Sequence, residues 1–259
     1  MSQSTNLPLP VALFITCLAD LYRPEAGEAT VALLERQGLA VEFPLEQTCC
    51  GALAHQSGWR PEALELARRW VDLFEPFAAI VAPSPVCVAH VRQEMPRLLA
   101  AEPEWQRRAE AVAARTYELS EYLVDVLGVT RDTMGAQFDG TIAYQPACQQ
   151  LRMVRNDDQA RALLAEIEGA QLKPLADAES CCGFGGLFSA RMPQLANAMA
   201  ERKARAIEAS GAQVVVTGET GCVLHMAGAL ERRGSACRAV HLAELLAGLA
   251  AAPEFEPKG

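Results

Sequence analysis

Ser180-Cys181-Cys182-Gly183-Phe184-Gly185-Gly186 and its earlier echo, Thr48-Cys49-Cys50-Gly51, decide how the rest of the chain is read. Adjacent cysteines make a poor disulfide, because consecutive Cα atoms lie about 3.8 Å apart and a relaxed bridge wants about 4.4–6.8 Å. Two thiolates followed by glycine suit a metal centre better. A glycine-rich turn lets the backbone come close, so that its N–H groups point at a negatively charged cluster. One such triplet could be two small buried residues before a tight turn. Two triplets, each flanked by further cysteines at matching distances, weigh against that bland reading.

The flanking cysteines repeat. Cys17 precedes Cys49 by 32 positions and Cys148 precedes Cys181 by 33, while Cys50 precedes Cys87 by 37 and Cys182 precedes Cys222 by 40. The segments after the last cysteine also agree, Cys87-Val-Ala-His90 against Cys222-Val-Leu-His225. The chain thus carries an internal duplication of one supersecondary unit, in two copies.

Each copy alternates strand and helix. Val11–Thr16, Val41–Leu45 and Ala78–Ala82 read as short buried strands of the first copy, with helices over Ala26–Gln37 and Arg60–Phe74 and another beginning near Cys87. Thr141–Tyr144, Gln171–Leu175 and Gln213–Thr217 are the strands of the second, with helices over Arg152–Ile167 and Leu195–Ala209 and one opened by Cys222. Arg238–His241 adds an edge strand and Leu242–Leu249 a last helix. Between the copies, Glu104–Ala114 and Glu118–Leu127 have the periodicity of two charged-faced helices forming a connector over about 97–137. The expected fold is α/β: two duplicated parallel-sheet βαβ (Rossmann-like) cysteine-rich domains in pseudo-twofold arrangement, residues 1–137 and 138–259.

In this fold all eight repeated cysteines follow predicted strands, and the crevice beyond the carboxyl ends of parallel strands is where ligands bind. Cys87 and Cys222 also open helices, whose N-terminal ends favour negative charge. Four cysteines per copy suffice for a [4Fe–4S] cluster or a tetrahedral Cys₄ zinc. Scattered spacing favours iron–sulfur, since structural zinc uses short-spaced pairs and the chain has no CxxC. His90 and His225, three positions after a cysteine, are either ligands or donors behind the ligands. Cys237 has no counterpart and reads as a small buried residue. The Gly183–Gly186 run lacks the G-x-G-x-x-G order of a nucleotide loop. No Ser-His-Asp set or HExxH is recognisable, and His55 and His241 read as structural, without visible partners.

Composition bounds the partners. With 259 residues, 51% of them hydrophobic, the chain can bury a sizeable core and reads as soluble and globular. A formal charge of −9 argues against nucleic acid or an anionic membrane as the main partner. The apolar run Val11–Ala19 is too short for a membrane span, and no signal peptide is apparent. A cytoplasmic location follows as an expectation, and there nine cysteines are metal ligands or redox groups sooner than a disulfide framework.

These residues resemble the CCG-type cysteine-rich domain family. Val41-Glu-Phe-Pro-Leu-Glu-Gln-Thr-Cys-Cys-Gly51, Val81-Ala-Pro-Ser84, Thr116-Tyr-Glu-Leu-Ser120, Cys181-Cys-Gly-Phe-Gly-Gly186 and Val240-His-Leu-Ala-Glu244 are similar to the lactate utilization protein A family over roughly residues 11–250. The resemblance implies an iron–sulfur electron-transfer subunit of a multi-protein system that oxidises L-lactate or a related 2-hydroxy acid. It would be a non-flavin subunit of that dehydrogenase complex, beside a ferredoxin-type iron–sulfur subunit and a third small subunit. Carried over by position, the ligand sets are Cys17, Cys49, Cys50 and Cys87, then Cys148, Cys181, Cys182 and Cys222. The family's motif ends in CxxC, and Ser84 and Glu219 stand where its leading cysteines would be. The five-cysteine non-cubane clusters of the related heterodisulfide reductases are therefore not expected with the same ligation. Ser84 and Glu219, with His90 and His225, become candidates for a role just behind the ligands, or for an open iron site. Glutamines around Cys148 replace the family's frequent histidines. Two alternatives stay open: a zinc-stabilised structural subunit of the same complex, and a thiol/disulfide redox protein.

Overall fold

The computed structural model describes residues 10–249, so positions 1–9 and 250–259 of the two expected domains lie outside the described residues. Among the described residues no helix is long and apolar enough to cross a membrane. The strands are β1 (Val11–Leu13), β2 (Val41–Glu42), β3 (Ala79–Ala82), β4 (Thr116–Glu118), β5 (Gln137–Tyr144), β6 (Glu168–Lys173), β7 (Val214–Thr217) and β8 (Arg238–His241). They form two four-stranded sheets of order β2-β1-β3-β4 and β6-β5-β7-β8, with every neighbouring pair parallel. The duplication read from cysteine spacing is therefore a duplication of topology.

Sequence explains why the central strands lie where they do. Val11-Ala-Leu13 and Val214-Val-Val-Thr217 are buried throughout, as expected of parallel strands covered on both faces. On one face of the first sheet, Phe14 meets Trp70 and Phe74 of helix Arg60–Phe74 edge-on, with ring centroids 5.6 and 5.4 Å apart. The corresponding face of the second sheet is closed by small residues, Ala200 and Ala204 with Ile207, from helix Pro193–Ser210. The remaining core is shared: Leu33 and Leu34 of the first unit pack in one cluster with Leu119, Leu163, Leu245 and Leu246. The two sheets are thus joined through apolar contact.

Several segments differ from the sequence expectation, among them the strand expected over Val41–Leu45, which ends at Glu42. The connector contains a strand: Thr116–Glu118 pairs with β3 before the helical turns Leu119–Glu121 and Tyr122–Val126. Three residues are too few to show a period of two, and the charged Glu118 masks their burial. The expected helix Arg152–Ile167 is broken into a π-type turn, Gln150–Val154, and a helix, Asp157–Ala165. Arg155 takes φ 62° at the break, and Asn156 turns inward to donate its amide to Glu118 and Ser120. A buried polar contact there overrides the local helical preference. β6 also begins earlier than the expected Gln171–Leu175.

Glu118 and His241 hold matching places in the two sheets, opposite Ala82 and Thr217. Each caps the helix that follows it, through Ser120 N–H and Ala243 N–H respectively. Each also reaches the other unit: Glu118 accepts from Asn156, and His241 Nε2 lies 3.2 Å from the Pro83 carbonyl. His241 is therefore structural, but with partners the sequence did not show.

Burial raises Glu118 to about 7 and lowers His241 to about 4. The Glu118 carboxyl keeps its proton in the folded chain above the value at which the unfolded chain releases it, so its contribution to stability falls as pH rises towards 7. His241 stays neutral where the unfolded imidazole is charged, so its contribution rises with pH from about 4 to about 6.5. The two slopes oppose each other over most of the acid range. Glu118→Gln is expected to stabilise the protein at pH 8 by on the order of 2 kcal/mol and to change little at pH 4. Urea unfolding at both pH values checks this, and an equal effect at both would mean that the carboxyl titrates normally.

Candidate metal centre

The chain delivers each cysteine from the carboxyl end of a strand. After β1 it is turned by Thr16, a buried non-glycine residue at φ 72°, into the short helix Cys17–Tyr22. A β-branched residue held left-handed is strained backbone, and such strain concentrates at functional sites. After β2 and after β6 come the CCG turns. Gly51 and Gly183 have φ 88° and 94°, and their N–H groups lie 3.4 Å from Cys49 Sγ and Cys181 Sγ in turn. The two turns are conformational copies. At Gly183 only hydrogen fits, since a Cβ would come within 2.8 Å of the Ala196 carbonyl oxygen and of Met199 Cβ.

Two glutamines fasten these turns. Gln47 accepts from Ile15 N–H and donates to the Leu13 carbonyl, tying the first CCG turn to the strand end that carries Cys17. Gln145 donates to the carbonyls of Ala178 and Ser180, tying the segment before Cys148 to the second turn. The glutamine that precedes Cys148 is thus part of the scaffold.

All eight repeated cysteines line one cavity of about 530 Å³ between the two units. Both four-cysteine sets thus face the same pocket. Cys17 Sγ lies 3.7 Å from Cys49 Sγ, and Cys182 Sγ lies 2.8 Å from Cys222 Sγ. All eight thiols are free. The shared cavity follows from pseudo-twofold packing. Helix Cys17–Tyr22 packs on the second unit's Thr220–Arg232, and helix Pro85–Ala89 packs on the turn Gln150–Val154 that follows Cys148.

Crowding gives the thiols their chemistry. Hydrogen bonds from Cys17 and Cys50 push Cys49 far below an ordinary thiol, and Cys148 and Cys182 do the same to Cys181. The same contacts, with burial, push Cys17, Cys50, Cys148 and Cys182 well up. One thiol in each set therefore ionises readily at the expense of its neighbours. A full set of thiolates needs a cation among them. The donor set, the glycine N–H groups and the apolar walls fit a metal–sulfur group, and each four-cysteine set would supply its ligands. Among the described residues no three His, Cys, Asp or Glu side chains are spaced to hold a lone metal ion. As they stand, the thiols are a lining.

The four residues expected behind the ligands divide. Ser84 and Glu219 do line the cavity, and they bond to each other across the two units, Ser84 Oγ donating to Glu219 Oε2 at 2.7 Å. Burial raises the Glu219 carboxyl. His90 and His225 stand behind the wall, His90 beside Cys49 and the Cys50 backbone and His225 against the second turn, where a Cβ at Gly183 would come within 3.3 Å of its Nε2. His90 is buried against His55, ring centroids 5.5 Å apart, and burial followed by the His55 charge lowers it to about 4. His225 Nε2 lies 3.2 Å from the Ala196 carbonyl, beside Phe184. His55 has a partner after all. Cys237 is buried apart from the cavity, its thiol raised to about 11 by that burial.

Reasoning from sequence missed Thr16, which a φ angle alone reveals, and the Ser84–Glu219 bond. The latter had a signal: both residues stand three positions before the last cysteine of their set. It also missed that among the described residues lining the cavity none is basic.

The cysteine-rich domain family CCG matches residues 11–92 and 142–227, together more than half of the chain. Lactate utilization protein A of Halalkalibacterium halodurans is 41% identical over 238 residues, which cover 92% of this chain and 96% of that protein. The protein of the same name from Bacillus pumilus is 40% identical, over 92% of this chain and 99% of its own. A crystal structure of a hypothetical protein from Helicobacter pylori superposes with a TM-score of 0.65 at 11% identity, over 95% of this chain and 50% of that one. That likeness bears on the fold alone. By its two matched cysteine-rich domains and its near-complete overlap with these relatives, the chain belongs to the lactate utilization protein A family.

Proposed function

We propose that the protein is an iron–sulfur electron-transfer subunit of a system oxidising L-lactate or a related 2-hydroxy acid. One observation carries the reading: two four-cysteine sets, built on copied CCG turns, face a single largely apolar cavity. The relatives' name, lactate utilization protein A, supplies the metabolic context. Bound iron–sulfur clusters would supply one-electron transfer, with potentials set by burial and by hydrogen bonds to sulfur.

The chain's own residues define its share of the work. Gly51 and Gly183 donate to sulfur, the apolar walls limit water, and Cys87 and Cys222 present thiols from the starts of their helices. Oxidising a 2-hydroxy acid to the 2-oxo acid releases two electrons and two protons, which calls for a hydride acceptor before one-electron carriers. A hydroxy acid is also an anion, and a buried carboxylate needs a positive or hydrogen-bonding partner. The cavity's described lining has no basic residue and already holds the carboxyl of Glu219. These features favour relay over direct substrate binding, with oxidation on a partner subunit. The partners on this reading are a ferredoxin-type iron–sulfur subunit and a third small subunit, in the cytoplasm where thiols stay reduced. We take the two cysteine-rich units to meet near residue 137.

A second reading has its own observation. Cys182 and Cys222 are close enough to be joined by modest movement, which suits a thiol/disulfide redox protein.

Anaerobic purification with the candidate partners, followed by iron, zinc and acid-labile sulfide analysis, separates these readings. The expected result is a brown protein with matched iron and sulfide, about four or eight of each per chain. Stoichiometric zinc without sulfide, or metal-free protein that loses thiols reversibly on mild oxidation, would overturn it. Gly183→Ala should remove most of the second set's iron while sparing the first. It forces a left-handed alanine, costing about 1–2 kcal/mol, and adds overpacking of about 1–3 kcal/mol. Iron content per chain reads this directly, and unchanged loading would mean that the turn does not shape the site.

A further inference from the structure

We propose that Glu219, a residue of the second unit, is a positioning residue for the first unit's thiol set. Ser84 and Glu219 stand at matching places just beyond the ends of β3 and β7, and each caps the helix that carries the last cysteine of its own set. They do so differently. Ser84 Oγ accepts the Cys87 N–H at 3.2 Å. Glu219 uses one oxygen for its own helix, accepting Gly221 N–H at 3.4 Å through Oε1. Its other oxygen crosses the boundary between the units, where Oε2 accepts the Ser84 hydroxyl at 2.7 Å and the Val86 N–H at 3.3 Å.

The result is a directed chain: Cys87 N–H to Ser84 Oγ, and Ser84 O–H to Glu219 Oε2. Ser84 and Glu219 are 1% and 6% exposed, so water does not compete for these bonds. Bonds to a buried carboxylate are stronger than neutral ones, and linked bonds reinforce each other. Ser84 is too short to reach the other unit without a partner of glutamate's length. The asymmetry between the two positions thus has a use: one long acidic side chain fastens the start of the helix whose Cys87 packs in one buried cluster with Cys50. The purpose of that placement rests on reading the thiols as metal ligands, whereas the clasp itself is a matter of geometry and is tested without metal.

The test is cysteine-by-cysteine alkylation of the reduced, metal-free full chain with iodoacetamide, read by mass spectrometry. Cys237, buried in the second unit away from the cavity, reports any general loosening of the fold. Glu219→Ala is expected to speed modification of Cys87 about tenfold, the equivalent of roughly 1.4 kcal/mol, with Cys181 and Cys237 unchanged. Glu219→Gln, which keeps an acceptor oxygen, should restore most of the protection. Should Glu219→Ala fail to fold, Glu219→Asp decides, since it keeps an acid able to cap its own helix but is one methylene too short to reach Ser84. Its prediction is the same acceleration at Cys87. Unchanged Cys87 rates in the folded variants, acceleration confined to Cys222, or acceleration shared by Cys237 would overturn the proposal. Because no iron is involved, failure here leaves the electron-transfer reading standing, and failure of that reading leaves the clasp intact.

Discussion

Four thiols crowded into one apolar pocket cannot all lose their protons unless positive charge comes to sit among them. That constraint organises the molecule. A single thiolate is stabilised in each set by its neighbours' S–H groups and by a glycine N–H, while the neighbours are held protonated by the same contacts. A protein that merely needed small residues in its core would gain nothing from this arrangement, since buried cysteines pack well without touching one another. A metal–sulfur group would convert the crowding into coordination.

Parallel sheets make the crowding possible. Strand ends deliver residues from distant parts of the sequence to one rim, and duplication delivers them twice. The two rims then face each other because the helices after Cys17 and Cys148 pack against the other unit's last cysteine-bearing helix. The apolar core between the sheets supplies the bulk of the adhesion, and buried polar groups fix the alignment. Glu118 reaches Asn156, His241 reaches Pro83, and Glu219 reaches Ser84, all from one unit to the other. Such contacts are costly to leave half-made, so they favour one relative placement of the units.

Much of this could be read from the residues. The cysteine intervals disclosed the duplication, and helix Arg60–Phe74 was legible to the residue because its apolar positions recur at helical spacing after a first-turn proline. Strand β4 was not legible: Thr116-Tyr-Glu118 is short and ends on a charged residue whose burial depends on Ser120 and Asn156. The break at Arg155 was hidden for a related reason, being imposed by Asn156 seeking a partner far off in sequence. The candidate site was legible in membership but not in arrangement. Sequence named all eight thiols, Ser84 and Glu219; it could not show that both sets share a cavity, because that depends on how the units dock. His90 and His225, singled out by their offset from cysteine, stand behind the cavity wall beside the two CCG turns.

The most direct measurement is anomalous diffraction at the iron absorption edge from crystals grown and frozen without oxygen. Iron peaks inside the cavity, against Cys17, Cys49, Cys50 and Cys87 and against Cys148, Cys181, Cys182 and Cys222, are the predicted result. An occupied cavity whose peaks appear at the zinc edge alone, or iron bound elsewhere on the protein, would contradict the central claim that the two thiol sets exist to hold iron–sulfur clusters.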